Sequence, residues 1–251
     1  MTKKNIKANK NNTKNKTKKV NLSLFSDNNP ATTVKNTGFK DAKIAQHTID
    51  DMKDRDITFQ FQVINTMYNR AIQVLKNTKN KESKKNITDA IKLFSKWLVN
   101  YRKNNRGKKE KLSYLSLTTI NKLEFLADYY NISRKARGLE KPTLTDDGFL
   151  VVFRKVKGKP EKLRNYSVKK TVPDGQTWDK QRNQYINRRQ TMLKNAGYGL
   201  IYTDGENKGL PTILHVNMII NGYSPLNEKE LLKSIPEYKK IITSNIKKNK
   251  I

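Results

Sequence analysis

Apolar residues recur every three or four positions through much of residues 38–140. This spacing places them on one face of a helix, and it predicts amphipathic helices over about 42–52, 59–75, 87–103 and 117–137. Each apolar stripe has to be buried against another, so helices that follow one another in this way predict a bundle. The pattern therefore predicts a helical bundle domain over residues 38–140.

The helical spacing stops in residues 141–175. Residues 149–153 form a continuous run of Phe, Leu and Val that follows the turn pair Asp147-Gly148. Such a run beside a turn predicts a strand, with residues 166–168 as its partner. This segment is therefore predicted to hold a short β-hairpin that links the bundle to the rest of the chain.

Helical spacing returns in residues 176–251, but in shorter stretches. One helix is predicted over 178–196, a short one over 211–221, and one or two more between residue 228 and the C-terminus. The predicted fold is mainly α, with an N-terminal helical bundle and a smaller α-rich C-terminal module that includes the short β-hairpin.

The first 37 residues differ from everything that follows. They hold nine lysines, one acidic residue and few apolar side chains. A segment with so little apolar surface and so much charge cannot form a core, so residues 1–37 are predicted to be a disordered Lys/Asn-rich arm. Lys18 and Lys19 are its candidate phosphate-binding residues.

The charge of the whole chain indicates the class of partner. Lysine and arginine number 53 against 22 acidic residues, which gives a net charge of +31. An AT-rich genome favours lysine over arginine, but it does not deplete aspartate and glutamate, so codon bias alone leaves the charge unexplained. This excess predicts binding to a polyanion, with nucleic acid as the leading candidate. DNA is the expected partner ahead of RNA, although the charge does not choose between them.

Scarce residue types narrow the chemistry. The chain has no cysteine and two histidines, His47 and His215. Disulfides and thiolate metal sites are therefore excluded, and neither a metal nor a cofactor is predicted. No apolar run approaches the roughly 20 residues of a membrane span, and the N-terminus lacks the apolar stretch of a signal peptide. The sequence predicts an intracellular protein without a membrane partner, and it leaves the oligomeric state open.

The strongest local candidate for nucleic-acid contact is the basic stretch 180–190. On a helix, Arg182, Tyr185 and Arg189 share one face, with Arg188 beside it. Arginine on such a face binds phosphates, and the neighbouring Gln and Asn side chains meet base edges. The alternative is an ordinary solvated helix face.

Two predicted basic loops add contacts that grip the phosphate backbone without reading sequence. The first follows the third predicted helix, and the second is the tip of the predicted hairpin. Their candidate residues are Arg102, Lys103, Arg106, Lys108 and Lys109 in the first loop, and Lys155, Lys157 and Lys159 in the second. Aromatic residues such as Phe61 and Trp97 lie on apolar stripes, so they are predicted to be core residues rather than platforms for base stacking.

Evidence for catalysis is slight. His215 lies on a short apolar helix downstream of Asp204 and Glu206, a combination that a nuclease-like site would use. A single histidine in such a place is more often structural, and no P-loop, dinucleotide loop, HExxH or GxSxG pattern occurs. The chain is therefore predicted not to be an enzyme.

Two segments carry a resemblance to a known family. They are the stretch from Gly38 through Arg55-Asp56 to Gln62–Ala71, and the pattern Pro211-Thr212, His215 and Tyr223-Ser224-Pro225. Both resemble segments of a basic protein family, without known activity, of large nucleocytoplasmic DNA viruses. The resemblance implies a viral origin and a place in the virion, the host nucleus or a cytoplasmic viral factory. It implies no activity and no catalytic residues.

The leading hypothesis is a non-enzymatic, largely sequence-tolerant nucleic-acid-binding protein that associates with a viral genome. Two alternatives remain open. One is a structural or scaffold protein of the virion that binds acidic protein partners. The other is a nucleic-acid-processing enzyme that uses His215.

Overall fold

A computed structural model describes residues 37–132, 148–168, 176–197 and 199–248. These residues are mainly helical, which confirms the predicted fold class. The described ranges contain ten α-helices and one 3-10 turn: α1 Ala42–Met52, α2 Ile57–Asn77, α3 Lys81–Lys103, α4 Arg106–Lys109, α5 Leu117–Tyr129, α6 Phe149–Lys155, α7 Pro160–Leu163, α8 Trp178–Asn195, the 3-10 turn Gly205–Asn207, α9 Ile213–Ile220 and α10 Glu228–Lys248. None of these helices is long and apolar enough to cross a bilayer. The predicted N-terminal arm lies outside the described residues.

Side-chain caps decide where the first helices begin. Asp41 caps α1 and Asp56 caps α2, each by accepting hydrogen bonds from backbone N–H groups of the first turn. Asn80 Oδ1 accepts from the Ser83 N–H at 2.9 Å. Because of this cap, α3 begins earlier than predicted from its apolar pattern, which starts at Ile87.

The C-terminal end of α5 also differs from the prediction. The helix ends at Tyr129, and Asn131 then adopts a left-handed conformation with φ 51°. The Ile132 N–H donates to the Ala127 carbonyl at 2.8 Å, which satisfies a terminal carbonyl as a Schellman motif does. The predicted end of this helix, residue 137, lies outside the described residues.

The buried apolar side chains form three clusters. The first joins α1, α2 and α3 through Ala45, Ile64, Ala90, Phe94 and Leu98. The largest joins α5, α6, α9 and α10 through residues that include Leu123, Leu126, Phe153, Ile219, Leu231 and Tyr238. The third joins α8 to α9 and to the segment after α4 through Leu112, Ile186, Leu193, Met218 and Tyr223. The helix α5 thus packs with the C-terminal helices, although its position in the sequence grouped it with the N-terminal bundle.

The first strand of the predicted β-hairpin is wrong. Residues 149–153 belong to the helix α6, and all five are buried. Phe149 and Phe153, one turn apart, stack with their ring centroids 5.1 Å apart. A short run that is buried on every side has no periodicity, so its pattern does not separate a helix from a strand. Within the described ranges, antiparallel pairing is limited to two isolated bridges, Ser167 with Thr177 and Tyr202 with Pro211.

The C-terminal tail forms one long helix rather than the short ones predicted. The helix α10 continues through Pro236, whose side chain is exposed. Proline removes the N–H that would donate to the Leu232 carbonyl. Because this gap lies on the solvent side, water can satisfy the carbonyl and the helix is not interrupted.

Polar contacts connect the end of α1 and the turn after it to the helix α8. Lys180 Nζ lies 2.8 Å from Asp51 Oδ1, and Asn183 Nδ2 donates to the Asp54 carbonyl at 2.9 Å. These contacts hold the N-terminal helices against the C-terminal ones. The basic residues of both parts are therefore carried by one connected body.

Candidate nucleic-acid interface

The structure places Arg182 in the interior instead of on the predicted binding face. Its side chain is 1% exposed, and its five N–H groups all donate to protein acceptors. The acceptors are the carbonyls of Leu112, Ser113, Asn221 and Gly222 and the side-chain oxygen of Asn183. A guanidinium with every donor used and no exposed surface does not reach a phosphate. The role predicted for Arg182 is therefore corrected: it joins α8 to two turns of the chain.

The rest of the predicted face on α8 is only partly available. Arg189 lies over the ring of Tyr185, 3.4 Å from the centroid, and both side chains are half-buried. Arg188 is exposed and has no ion-pair partner among the described residues. This face thus offers one exposed cation beside a half-buried Arg–Tyr stack.

The first predicted basic loop is a sharp corner between α3 and α4. Asn105 adopts a left-handed conformation with φ 49°, and this lets α4 start directly after α3 ends. Four side chains at the corner are exposed and have no ion-pair partner in the described ranges: Arg102, Lys103, Lys108 and Lys109. These four residues and Arg106 are called the basic corner below.

The acid next to the basic corner is already engaged. Arg106 holds Glu110 through two hydrogen bonds, Nε to Oε1 at 2.8 Å and Nη2 to Oε2 at 2.9 Å. This bidentate geometry suits an arginine and a carboxylate. Arg106 therefore compensates the charge of Glu110, and the positive charges of the four exposed side chains stay uncompensated by this acid.

Three aromatic rings stack beside the basic corner. Tyr101 lies between Phe61 and Trp97, with centroid distances of 4.7 and 5.5 Å. The Arg106 guanidinium extends the column, 5.1 Å from the centroid of Trp97. The rings are half-buried, and Phe61 and Trp97 pack against the first apolar cluster, in line with the prediction that they belong to the core and are not platforms for base stacking. Their position makes the column a support for the end of α3 and for α4.

Gly107 allows α4 to lie against this aromatic column. A Cβ atom at this position would lie 2.2 Å from the Tyr101 hydroxyl oxygen. Any other residue would have to displace Tyr101 or α4. Sequence reasoning missed this contact, because a glycine within a basic run is typical of a loop.

The second predicted basic loop is the turn between α6 and α7. Lys155, Lys157 and Lys159 are all exposed there. Lys157 and Gly158 both have left-handed conformations, with φ 56° and 68°. A Cβ atom on Gly158 would lie 3.1 Å from the Leu117 side chain, so the turn is packed against the start of α5. The remaining predicted contacts, Lys18 and Lys19, lie outside the described residues.

His215 is a core residue in this structure. It is fully buried, with Nε2 2.9 Å from Ser224 Oγ and Nδ1 3.3 Å from the Ile201 carbonyl oxygen. Burial lowers the pKa of His215 to about 4, so the imidazole is neutral near pH 7. Asp204 and Glu206, its predicted partners, are exposed and are not among its hydrogen-bond partners. In the part of the chain that the structure describes, no three His, Asp or Glu side chains are grouped to hold a metal ion.

No protein-family model matches this sequence, and no curated protein matches it. The chemistry of the candidate interface follows from its own residues. Those residues are exposed ammonium and guanidinium groups on a supported corner, and such groups bind phosphate oxygens.

Proposed function

We propose that this protein binds nucleic acid through the basic corner and catalyses no reaction on it. The observation that carries the proposal is the group of four exposed cations, Arg102, Lys103, Lys108 and Lys109, which lack ion-pair partners in the described ranges. Binding of these groups to phosphates would release condensed counterions and so favour association. The net charge of +31 adds long-range attraction to any polyanion.

Binding at the basic corner is expected to tolerate any sequence. Reading base pairs requires an element that enters the major groove, such as a helix several turns long. The helix α4 has four residues, Arg106–Lys109, and projects only from a corner. A helix this short does not reach the base edges in the groove. Its contacts would therefore be made to phosphates, which carry no sequence information. Duplex DNA is the first probe, because the viral resemblance implies a DNA genome.

The proposal is tested by removing the four exposed charges together. The variant Arg102→Gln, Lys103→Gln, Lys108→Gln and Lys109→Gln keeps Arg106 and its bond to Glu110. Fluorescence anisotropy with duplex DNA, single-stranded DNA and RNA over a salt series gives the slope of log affinity against log salt. The slope for duplex DNA should decrease by up to ~3.6, which corresponds to four lost phosphate contacts.

A matched control removes four charges at the opposite end of α3. Lys79, Lys81, Lys84 and Lys85 are exposed and lie near the start of that helix. Their change to Gln alters the net charge equally. The slope of log affinity against log salt should therefore decrease less in this control than in the basic-corner variant. The proposal fails if the wild type, freed of nucleic acid, binds none of the three probes at low salt. Stable binding to an acidic protein in the absence of DNA affinity would instead support the scaffold alternative.

A further inference from the structure

The exposed side of α10 carries four lysines in line. Lys229, Lys233, Lys240 and Lys247 are all exposed and are separated by four, seven and seven residues. At 3.6 residues per turn, these separations place them within about 40° of one another around the helix axis. They extend about 27 Å along that axis. These four residues are called the lysine stripe, and none of them belongs to the predicted binding residues.

The opposite side of α10 fixes the direction of the lysine stripe. Leu231 and Tyr238, on that side, are 0% and 2% exposed and belong to the largest apolar cluster. Near the end of the helix, Asn245 Nδ2 donates to Asn207 Oδ1 at 2.8 Å. Since the helix is held at several points along one side, the lysine stripe is presented to solvent by a supported element.

The acidic residues of α10 form no ion pair with the lysine stripe among the described residues. Glu228 Oε1 accepts from the Ser116 N–H at 3.3 Å and is thereby turned toward α5. Glu230 Oε2 accepts from the Asn227 N–H at 3.3 Å, as part of a capping box. Glu237 is exposed and lies four residues after Lys233 and three before Lys240, so it is the acid closest to the stripe along this helix. None of the four lysines has an ion-pair partner among the residues described.

We infer that the lysine stripe binds the phosphate backbone of duplex nucleic acid. This inference rests on the proposed function and deepens it, because it names the form of nucleic acid and a second contact surface. The stripe is longer than the major groove is wide, about 12 Å. It is therefore long enough to cross the groove, and in that orientation its lysines meet phosphates of both strands.

The residues between the lysines lack the side chains that other modes of recognition use. The exposed side of α10 carries Pro236 and Ser244 between the lysines, and it has no aromatic ring on which an unpaired base would stack. It also has no Arg, Asn or Gln, the residues that form paired hydrogen bonds with base edges. A straight row of ammonium groups without these additions suits a duplex backbone of regular charge.

The test uses the full chain with Lys229, Lys233, Lys240 and Lys247 all changed to Gln. Binding to a duplex and to a single strand of equal length is measured by anisotropy over a salt series. For the duplex, affinity should fall by more than ~10-fold and the slope by up to ~3.6. For the single strand, the loss should equal that of the Lys79, Lys81, Lys84 and Lys85 control, which removes the same charge.

Each outcome decides one question. If the wild type binds the duplex and the stripe variant behaves as the control does, the inference is overturned while the proposed function stands. If the wild type binds no nucleic acid, the proposed function fails and the inference fails with it. Vesicles of phosphatidylcholine and phosphatidylserine form a third arm. A stripe variant that loses binding to these vesicles but keeps its duplex affinity would show that the surface binds anionic lipid, which also overturns the inference.

Discussion

Arg55 and Asp179 form a buried ion pair between the turn after α1 and the first turn of α8. Arg55 Nη1 lies 2.9 Å from Asp179 Oδ2, and the two side chains are 6% and 5% exposed. Thr177 Oγ1 donates to the other carboxylate oxygen at 2.5 Å. The pair thus crosses from the N-terminal cluster of helices to the C-terminal part of the chain, and it helps to hold both in one body.

Removing one partner of this pair should destabilise the fold strongly. Asp179→Asn leaves the buried Arg55 guanidinium with the more distant Asp51 carboxylate, 3.9 Å from Nη2, as its remaining ion-pair partner. The expected loss of unfolding free energy is about 3 kcal/mol, the lower end of the range for breaking a buried pair. The double variant Arg55→Met with Asp179→Leu leaves no unpaired charge, so it should lose less than Asp179→Asn alone. Urea unfolding of the wild type and the variants measures this difference. A double variant that is less stable than either single one would contradict the explanation.

Arg182 provides a second prediction about stability. Arg182→Lys keeps the charge but replaces five N–H donors with three, so at least two of the five acceptors lose their partner. The Gly222 carbonyl also accepts from the Leu115 N–H, so at least one buried acceptor is left unsatisfied. Such an acceptor costs about 1–3 kcal/mol, and the variant should lose at least ~1 kcal/mol in urea unfolding. Arg188→Gln is the control on the same helix. Because Arg188 is exposed, its change should stay within about 0.5 kcal/mol of the wild type. Equal stability of the two variants would contradict the interior role of Arg182.

The sequence contains a pattern that indicates the burial of Arg182. Arg182 shares a helix face with Trp178, Ile186 and Leu193. The four positions follow one another at steps of four, four and seven residues. These apolar residues mark that face as the buried one. Grouping Arg182 with Tyr185 and Arg189 by charge obscured this pattern.

Other features depend on contacts that no local pattern contains. The apolar stripes of α1, α2 and α3 have a clear helical period, and this is why these helices were predicted. Residues 149–153 have no period, so their helix could be recognised only from the core around them. The aromatic column at the basic corner joins Phe61 on α2 to Trp97 on α3. Sequence separation hides such a contact until the two helices are packed together.

His215 should make stability depend on pH in a defined window. Burial lowers the pKa of His215 from 6.5 in the unfolded chain to about 4 in the fold. Above pH 6.5 both states hold a neutral imidazole, and stability is unaffected. Between pH 6.5 and 4 the unfolded state binds a proton that the folded state does not, so stability falls as the pH falls, by up to ~3 kcal/mol. Urea unfolding at several pH values measures the decrease.

Substitution of the two histidines isolates this effect. His215→Gln removes the group that titrates, so the free energy of unfolding should decrease less between pH 6.5 and 4.5 than it does in the wild type. This holds even though the variant is less stable at pH 6.5. His47 is exposed, and His47→Gln should keep the full decrease. An unchanged pH dependence in His215→Gln would show that other groups cause it. Glu228 contributes at lower pH, because hydrogen bonds from Ser116 and Thr119 hold its pKa below the usual 4.5 against the opposing effect of burial.

Gly107→Ala tests whether the aromatic column supports the basic corner. In an unobstructed helix this change would stabilise the protein slightly. Here the new Cβ atom meets the Tyr101 hydroxyl, and the stacked rings of Phe61 and Trp97 restrict the escape of Tyr101. The expected result is a loss of about 1–3 kcal/mol and a changed fluorescence of Trp97, measured in a Trp178→Phe background. Because the corner is displaced, DNA affinity should decrease although no charge is lost. Combining Gly107→Ala with Tyr101→Ala removes the obstruction, so it should recover part of the affinity. If Gly107→Ala alone stabilises the protein and leaves DNA binding intact, α4 does not depend on the column and the basic corner is a flexible loop in solution.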